Sequence, residues 1–192
     1  MNTLLALALV TLVAADDPAA KALDDLVAAS NDIQSLEAGF TQVTEIKAFK
    51  EPVTSTGTLR YERDGAIVWS YQAPHRMDFT IEGSKARLVY PDFGEEQEFD
   101  LDTNEQFRPM MESMFVWLGG DPAVVRKAYE ISLDGSTLQL VPHSELIRGF
   151  VSRIRITFDE QHVVQRVEIE EPDGDATRIQ FEYRDVKRGA AG

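Results

Sequence analysis

The chain has 192 residues, with 33 Asp and Glu against 19 Lys and Arg, a net charge of −14 and no cysteine. This balance excludes nucleic acid as a partner, since phosphate neutralisation needs clustered Lys and Arg, and it suits a solvated protein that stays off anionic membranes. The missing thiols exclude a disulfide framework, a thiolate metal site, a cysteine nucleophile and a lipobox, so any lipid involved is cargo and not a covalent anchor.

The opening run Leu4 to Val13 is apolar and ends at Val13-Ala14-Ala15, small residues that fit the −3 and −1 positions of a signal-peptidase site. The run is shorter than the ~20 residues of a membrane span. Residues 1–15 are therefore read as a cleaved signal peptide and 16–192 as one domain. Removing residues 1–15 takes away no charged side chain, so the charge of −14 is kept.

Asp17-Pro18 pairs an N-cap with Pro at the first helical position, and Leu23, Leu26 and Val27 recur at helical spacing, which predicts an amphipathic helix over 18–29. Most of the remaining chain alternates with period two. Apolar residues fall at Leu59 and Tyr61, at Ile67, Trp69 and Tyr71, at Met77, Phe79 and Ile81, and at Leu88 and Tyr90. The pattern resumes at Leu138 and Leu140, at Ile154, Ile156 and Phe158, at Val163, Val167 and Ile169, and at Ile179, Phe181 and Tyr183. Polar residues such as Arg60, Ser70, Thr80, Arg155, Glu168 and Gln180 fill the alternate places, so the pattern predicts an antiparallel meander with one dry and one wet face. Asp64-Gly65, Glu82-Gly83, Asp134-Gly135 and Asp173-Gly174 are hairpin signals between the strands.

A second helix is predicted from Pro109 to Gly119-Gly120, holding Met110, Met111, Met114, Phe115, Trp117 and Leu118, and Asp121-Pro122 starts a third that runs through Ala128. Flexible thioethers suit either a surface that repacks around a ligand or the gaps of an ordinary core. An open, curved sheet with a helical plug satisfies the whole pattern, and so does a two-sheet sandwich with a filled core.

No G-x-S-x-G elbow, P-loop, H-E-x-x-H or dinucleotide G-x-G-x-x-G occurs, so the chain carries no signature of an enzyme or of a cofactor. His75, His143 and His162 lie beside turn signals and read as solvated loop residues. The acidic runs Glu95, Glu96, Glu98, Asp100 and Glu170, Glu171, Asp173 lack metal-loop spacing and read as solvated edges that discourage strand pairing. Arg63 continues the dry-face phase of Leu59 and Tyr61. Its guanidinium either finds buried acceptors or, if the strand ends at Glu62, joins the Asp64-Gly65 turn in water.

Ser35-Leu36-Glu37-Ala38-Gly39-Phe40-Thr41-Gln42 resembles the S-L-x-A-x-F-x-Q stretch that opens the first strand of LolA proteins. Gly57-Thr58-Leu59-Arg60-Tyr61-Glu62-Arg63 and Trp69-Ser70-Tyr71-Gln72-Ala73-Pro74 resemble the family's G-x-L-x-x-x-R-P-x-x-F-x-W-x-Y-x-x-P segment, with the Arg-to-Trp spacing intact. Glu82-Gly83 and Leu88-Val89-Tyr90-Pro91 are similar to the D-G turn and tyrosine-proline strand end found further along in the family. Asp64 and Ile67 depart from the family's Pro and Phe, and the final F-x-F-x-x-P strand is missing.

The resemblance implies a mainly β fold, an incomplete antiparallel barrel (half-barrel) under a helical lid, whose cavity holds the acyl chains of a lipoprotein. Leu59, Tyr61, Ile67, Trp69, Tyr71, Met77, Phe79, Ile81, Leu88, Tyr90, Ile154 and Ile156 are then the cavity positions. Met110, Met111, Met114, Phe115 and Leu118 are the lid helix, and Arg63 gates the lid by bonding its backbone. By the same resemblance the chain is a monomeric, non-enzymatic periplasmic carrier without metal or other cofactor. It receives cargo from an inner-membrane ABC transporter complex and passes it to an outer-membrane acceptor. Two rivals belong to other classes: a regulatory domain that senses lipid or lipoprotein, and a structural module with a filled core.

Overall fold

A computed structural model describes residues 17–101, 103 and 121–189. Eleven antiparallel strands form one continuous sheet: β1 (Ile33–Glu45), β2 (Val53–Glu62), β3 (Ala66–Ala73), β4 (Met77–Glu82), β5 (Lys85–Tyr90), β6 (Glu95–Asp100), β7 (Tyr129–Asp134), β8 (Thr137–Pro142), β9 (Arg153–Phe158), β10 (Val164–Glu170) and β11 (Ala176–Arg188). The strand order is β6-β5-β4-β3-β2-β1-β11-β10-β9-β8-β7, so two meanders meet where β1 pairs with β11 and the sheet stays open at β6 and β7. This is the open half-barrel; the two-sheet sandwich is not formed. The segment in which the family's final strand was missing is no edge, because the 13 residues of β11 lie at the middle of the sheet between β1 and β10.

Among the described residues three helices accompany the sheet: α1 (Pro18–Asp32), α2 (Pro122–Ala128) and α3 (Glu145–Arg148). Asp17 and Asp121 cap α1 and α2, each accepting from the amide two residues on, at 3.0 and 2.8 Å. The inner stripe of α1, Ala19, Ala22, Leu23, Leu26, Val27 and Ser30, is buried at the spacing that keeps one helix face dry. It packs on β1, β7, β8 and α2, with Asp24 of α1 and Arg126 of α2 joined at 2.8 Å. The predicted helix over 109–119 lies outside the described residues.

The alternation resolves into two faces as expected. Leu59, Ile67, Trp69, Phe79, Ile81, Leu138, Leu140, Ile154, Ile156, Val167 and Phe181 are buried on the concave side. The convex side carries cross-strand ion pairs, with Arg155 3.1 Å from Glu170, Arg178 3.3 Å from Glu168 and 2.5 Å from Glu45. Such half-exposed pairs contribute little stability, but they keep that face wet. The run Glu95–Asp100 forms edge strand β6, whose exposed carboxylates discourage a further strand from adding. Gly83, Gly135 and Gly174 take the left-handed backbone that their hairpins require.

Candidate functional site

Strand register sets the inner face of the sheet out in rows. One row runs Tyr183, Ala38, Leu59, Trp69, Phe79, Leu88 across β11, β1, β2, β3, β4 and β5. The next holds Phe181, Phe40, Gly57, Tyr71 and Met77. A third holds Tyr61, Ile67, Ile81 and Ala86. Ten of the twelve expected cavity residues thus share β2–β5, where Tyr61, Tyr71, Met77, Leu88 and Tyr90 keep partial access to solvent and the other five are buried. Ile154 and Ile156 belong to the other half of the sheet, buried beside Leu138, Leu140 and Val167.

The two halves meet in an aromatic cluster. The Phe40 ring lies 5.1 Å from Trp69 and 5.1 Å from Tyr71, and Trp69 lies 6.0 Å from Phe181 in an edge-on contact. Gly57 makes this possible. A Cβ there would meet the carbonyl of Ser70 and would stand 2.6 Å from the Phe40 ring, so only glycine lets Phe40 lie across β2.

Two of the tyrosine hydroxyls on the inner face are tied down: Tyr71 donates to Gln42 Oε1 at 2.8 Å, and Tyr183 donates to the carbonyl of Val164 at 2.5 Å. Burial pushes the Tyr71 hydroxyl up to about 12 and raises that of Tyr183 further, so both stay neutral donors at physiological pH.

Arg63 occupies the turn after β2, which ends at Glu62, yet its guanidinium is not left in water. Nη2 donates to the carbonyls of Asn31 and of Ile33, the latter at 2.6 Å, while the Arg63 amide donates to the carbonyl of Gln34 at 2.9 Å. The carbonyls of a helix's last turn have no intrahelical partner, and α1 has no basic residue of its own there. A cation from the end of β2 therefore completes the end of α1 and meets the negative pole of its dipole. The expected partners of Arg63, the backbone around Met110 to Leu118, lie outside the described residues, as do Met110, Met111, Met114, Phe115 and Leu118 themselves.

Beside Arg63 lies a cavity of about 20 Å³ between the end of α1, β1, β2, β11 and the β9–β10 turn, lined by Ile33, Leu36, Leu59, Tyr61, Val164 and Tyr183 among others. It suits one water and is far below the roughly 300–1,000 Å³ of small-molecule pockets. His162 also lines it. This corrects the reading of all three histidines as solvated: His75 and His143 are exposed, but His162 is half-buried, stacked 5.2 Å from Phe158, with Nε2 3.9 Å from Asp25 of α1. Its left-handed backbone, φ 56°, turns the ring inward, and no spacing in the sequence signals that.

The chain is thus an open antiparallel half-barrel with an apolar concave face and a helix packed on it. The model of the family described as outer membrane lipoprotein carrier protein LolA matches residues 31–190, and the chain belongs to that family. No curated protein matches it. Among solved structures it is similar to an uncharacterized conserved protein from Thermus thermophilus, at 9% identity and a TM-score of 0.52 over 90% of this chain and 89% of that one. It is also similar to a LolA superfamily protein from Nitrosomonas europaea, at 8% identity and a TM-score of 0.44 over 91% and 94%. The Pseudomonas aeruginosa MucA/MucB complex matches at 17% identity and a TM-score of 0.48, over 91% of this chain and 58% of that one, so this chain spans less than two-thirds of that protein. Identities this low speak for the fold alone.

Proposed function

We propose that the protein is a periplasmic carrier that binds the acyl chains of lipoproteins against the concave face of β2–β5 and moves them from the inner to the outer membrane. The observation that carries this reading is the contiguous apolar surface of Leu59, Trp69, Phe79 and Leu88 with Ile67, Ile81 and Tyr71, laid out in register, with the Tyr71 hydroxyl bonded to Gln42. Such a face offers mainly apolar contact, and each buried methylene contributes about 0.8 kcal/mol. Binding and release proceed without bond-making, cofactor or metal on this chain. The donor is an inner-membrane ABC transporter complex and the receiver an outer-membrane acceptor.

Arg63 acts as the clamp of the closed form. It ties the end of α1 to the β2–β3 turn, and the helix cannot swing off the sheet until the two bonds break. Cargo uptake exchanges these closing contacts of Arg63 for burial of acyl chain. The test is binding of a fluorescent fatty-acyl probe. Leu88→Glu places a charge at a half-exposed position of the apolar row and should abolish probe binding while leaving the chain folded, because a carboxylate there reaches water. If the folded variant binds the probe as the unaltered chain does, or simply unfolds, the row is ordinary core and the filled-core module is the correct reading.

A further inference from the structure

Six large apolar side chains of the described residues are exposed: Phe49, Val53, Phe93, Val124, Leu146 and Phe150, at 37% to 72%. Strand register places five of them; the sixth, Val124, lies on helix α2. Phe49 is in the β1–β2 connection, beyond the pair Thr44 and Val53. Phe93 is at the tip of the β5–β6 hairpin, beyond Tyr90 and Glu95. Leu146 lies on α3 and Phe150 just after it, between β8 and β9. All these connections fall at one end of the sheet. The other end, with the Arg63 turn, Gly83, Gly135 and His162, has no large exposed apolar residue among the described residues.

The geometry points to this end as a rim that docks on the headgroup region of a lipid bilayer. In the strand order the β5–β6, β1–β2 and β8–β9 connections are four strands apart from one to the next, which at ~4.8 Å per strand sets the three apolar tips about 20 Å apart along the curved sheet. Three tips on a curve define a plane. A peptide or a pocket-sized partner meets only one of them, whereas a bilayer surface meets all three.

Aromatic and Leu side chains with Lys or Arg close by are the types that settle at headgroup depth, and Lys47 and Lys50 flank Phe49 as Arg148 separates Leu146 from Phe150. The charge distribution agrees. The three connections 46–52, 91–94 and 143–152 balance Lys47, Lys50 and Arg148 with Glu51, Asp92 and Glu145, in a chain of net charge −14. At the acidic β10–β11 turn between them, the Lys47 backbone amide donates to the Asp175 carboxylate at 2.9 Å and its ammonium to the Asp173 carbonyl at 2.5 Å. The three apolar connections carry no net charge and approach lipid, while the acidic β10–β11 turn beside them and the net charge of −14 favour zwitterionic over anionic headgroups. This inference stands whatever the cargo, since the rim residues lie outside the apolar rows.

The test is co-sedimentation of the full chain with phosphatidylcholine vesicles, comparing it with the triple variant Phe49→Ser, Phe93→Ser, Phe150→Ser. The variant should partition at least about tenfold more weakly, with thermal unfolding and acyl-probe binding unchanged, since all three side chains are exposed. Absence of vesicle binding by the unaltered chain, or equal binding by the variant, overturns the inference. So does a lipid-free oligomer that the triple variant breaks up, which makes the rim a protein interface. Because the acyl probe reports the concave face and the vesicles report the rim, failure of one reading leaves the other measurable.

Discussion

Replacing Arg63 with Leu keeps most of the apolar stem and removes every side-chain donor, so the carbonyls of Asn31 and Ile33 lose their partner at the end of α1. A hydrogen bond to a charged group contributes about 1.5–3 kcal/mol, and water replaces part of that where the guanidinium is only half-buried. A net loss of about 2–4 kcal/mol for the two bonds is the expectation. Since about 1.4 kcal/mol is a factor of ten, the α1–β1 junction should open roughly 30- to 1,000-fold more often. Amide hydrogen exchange reads this directly at Ile33, whose N–H closes the last turn on the Ser30 carbonyl. Cargo uptake should survive in the variant, and release to acceptor membranes should slow, because the closed form no longer competes with bound acyl chain. Arg63→Lys should restore part of the protection, as a point charge cannot reproduce the guanidinium fork. Unchanged exchange at Ile33 in the Leu variant refutes the clamp and leaves Arg63 a turn residue.

Gly57→Ala should destabilise the chain by about 3 kcal/mol or more in urea unfolding, because the new Cβ meets the backbone carbonyl of Ser70 as well as the Phe40 ring. Tyr71 and Tyr183 both hold their protons more tightly folded than unfolded, so their contribution is complete below pH about 10 and stability falls as pH rises beyond it, by at most about 1.4 kcal/mol per pH unit for each. Tyr71→Phe should flatten that fall, and an unchanged slope contradicts the assignment. N-terminal sequencing of exported protein should find residues 1–15 removed, and retention of Met1 in the periplasmic fraction contradicts the leader.

The strands were legible because one face is dry and the other wet, and that difference imprints period two on the chain. Leu59 to Tyr61, Ile67 to Tyr71 and Met77 to Ile81 all fall on the concave side with the predicted phase. Closure was not legible, since a sandwich imposes the same alternation on its strands, and only the pairing of β1 with β11 decides for a single open sheet. Arg63 shows the same limit on a smaller scale. Its strand does end at Glu62, as the turn reading required, and its guanidinium is nevertheless bonded, because the acceptors are carbonyls at the end of a helix 30 and 32 residues earlier in the chain. Backbone acceptors leave no trace in side-chain identity. The absence of Lys, Arg or His from the last turn of α1 was the one available hint that a cation must come from elsewhere. For Gly57 the family motif marked the residue, but the reason, a phenylalanine from the neighbouring strand lying over it, belongs to packing.

The central claim is that the concave face shelters acyl chains, and the most direct test is mass spectrometry of lipid extracted from the protein after gentle purification from the periplasm. The account predicts stoichiometric acyl-bearing cargo that is depleted in Leu88→Glu and retained in Arg63→Leu. A lipid-free protein that also fails to take up an acyl probe contradicts it.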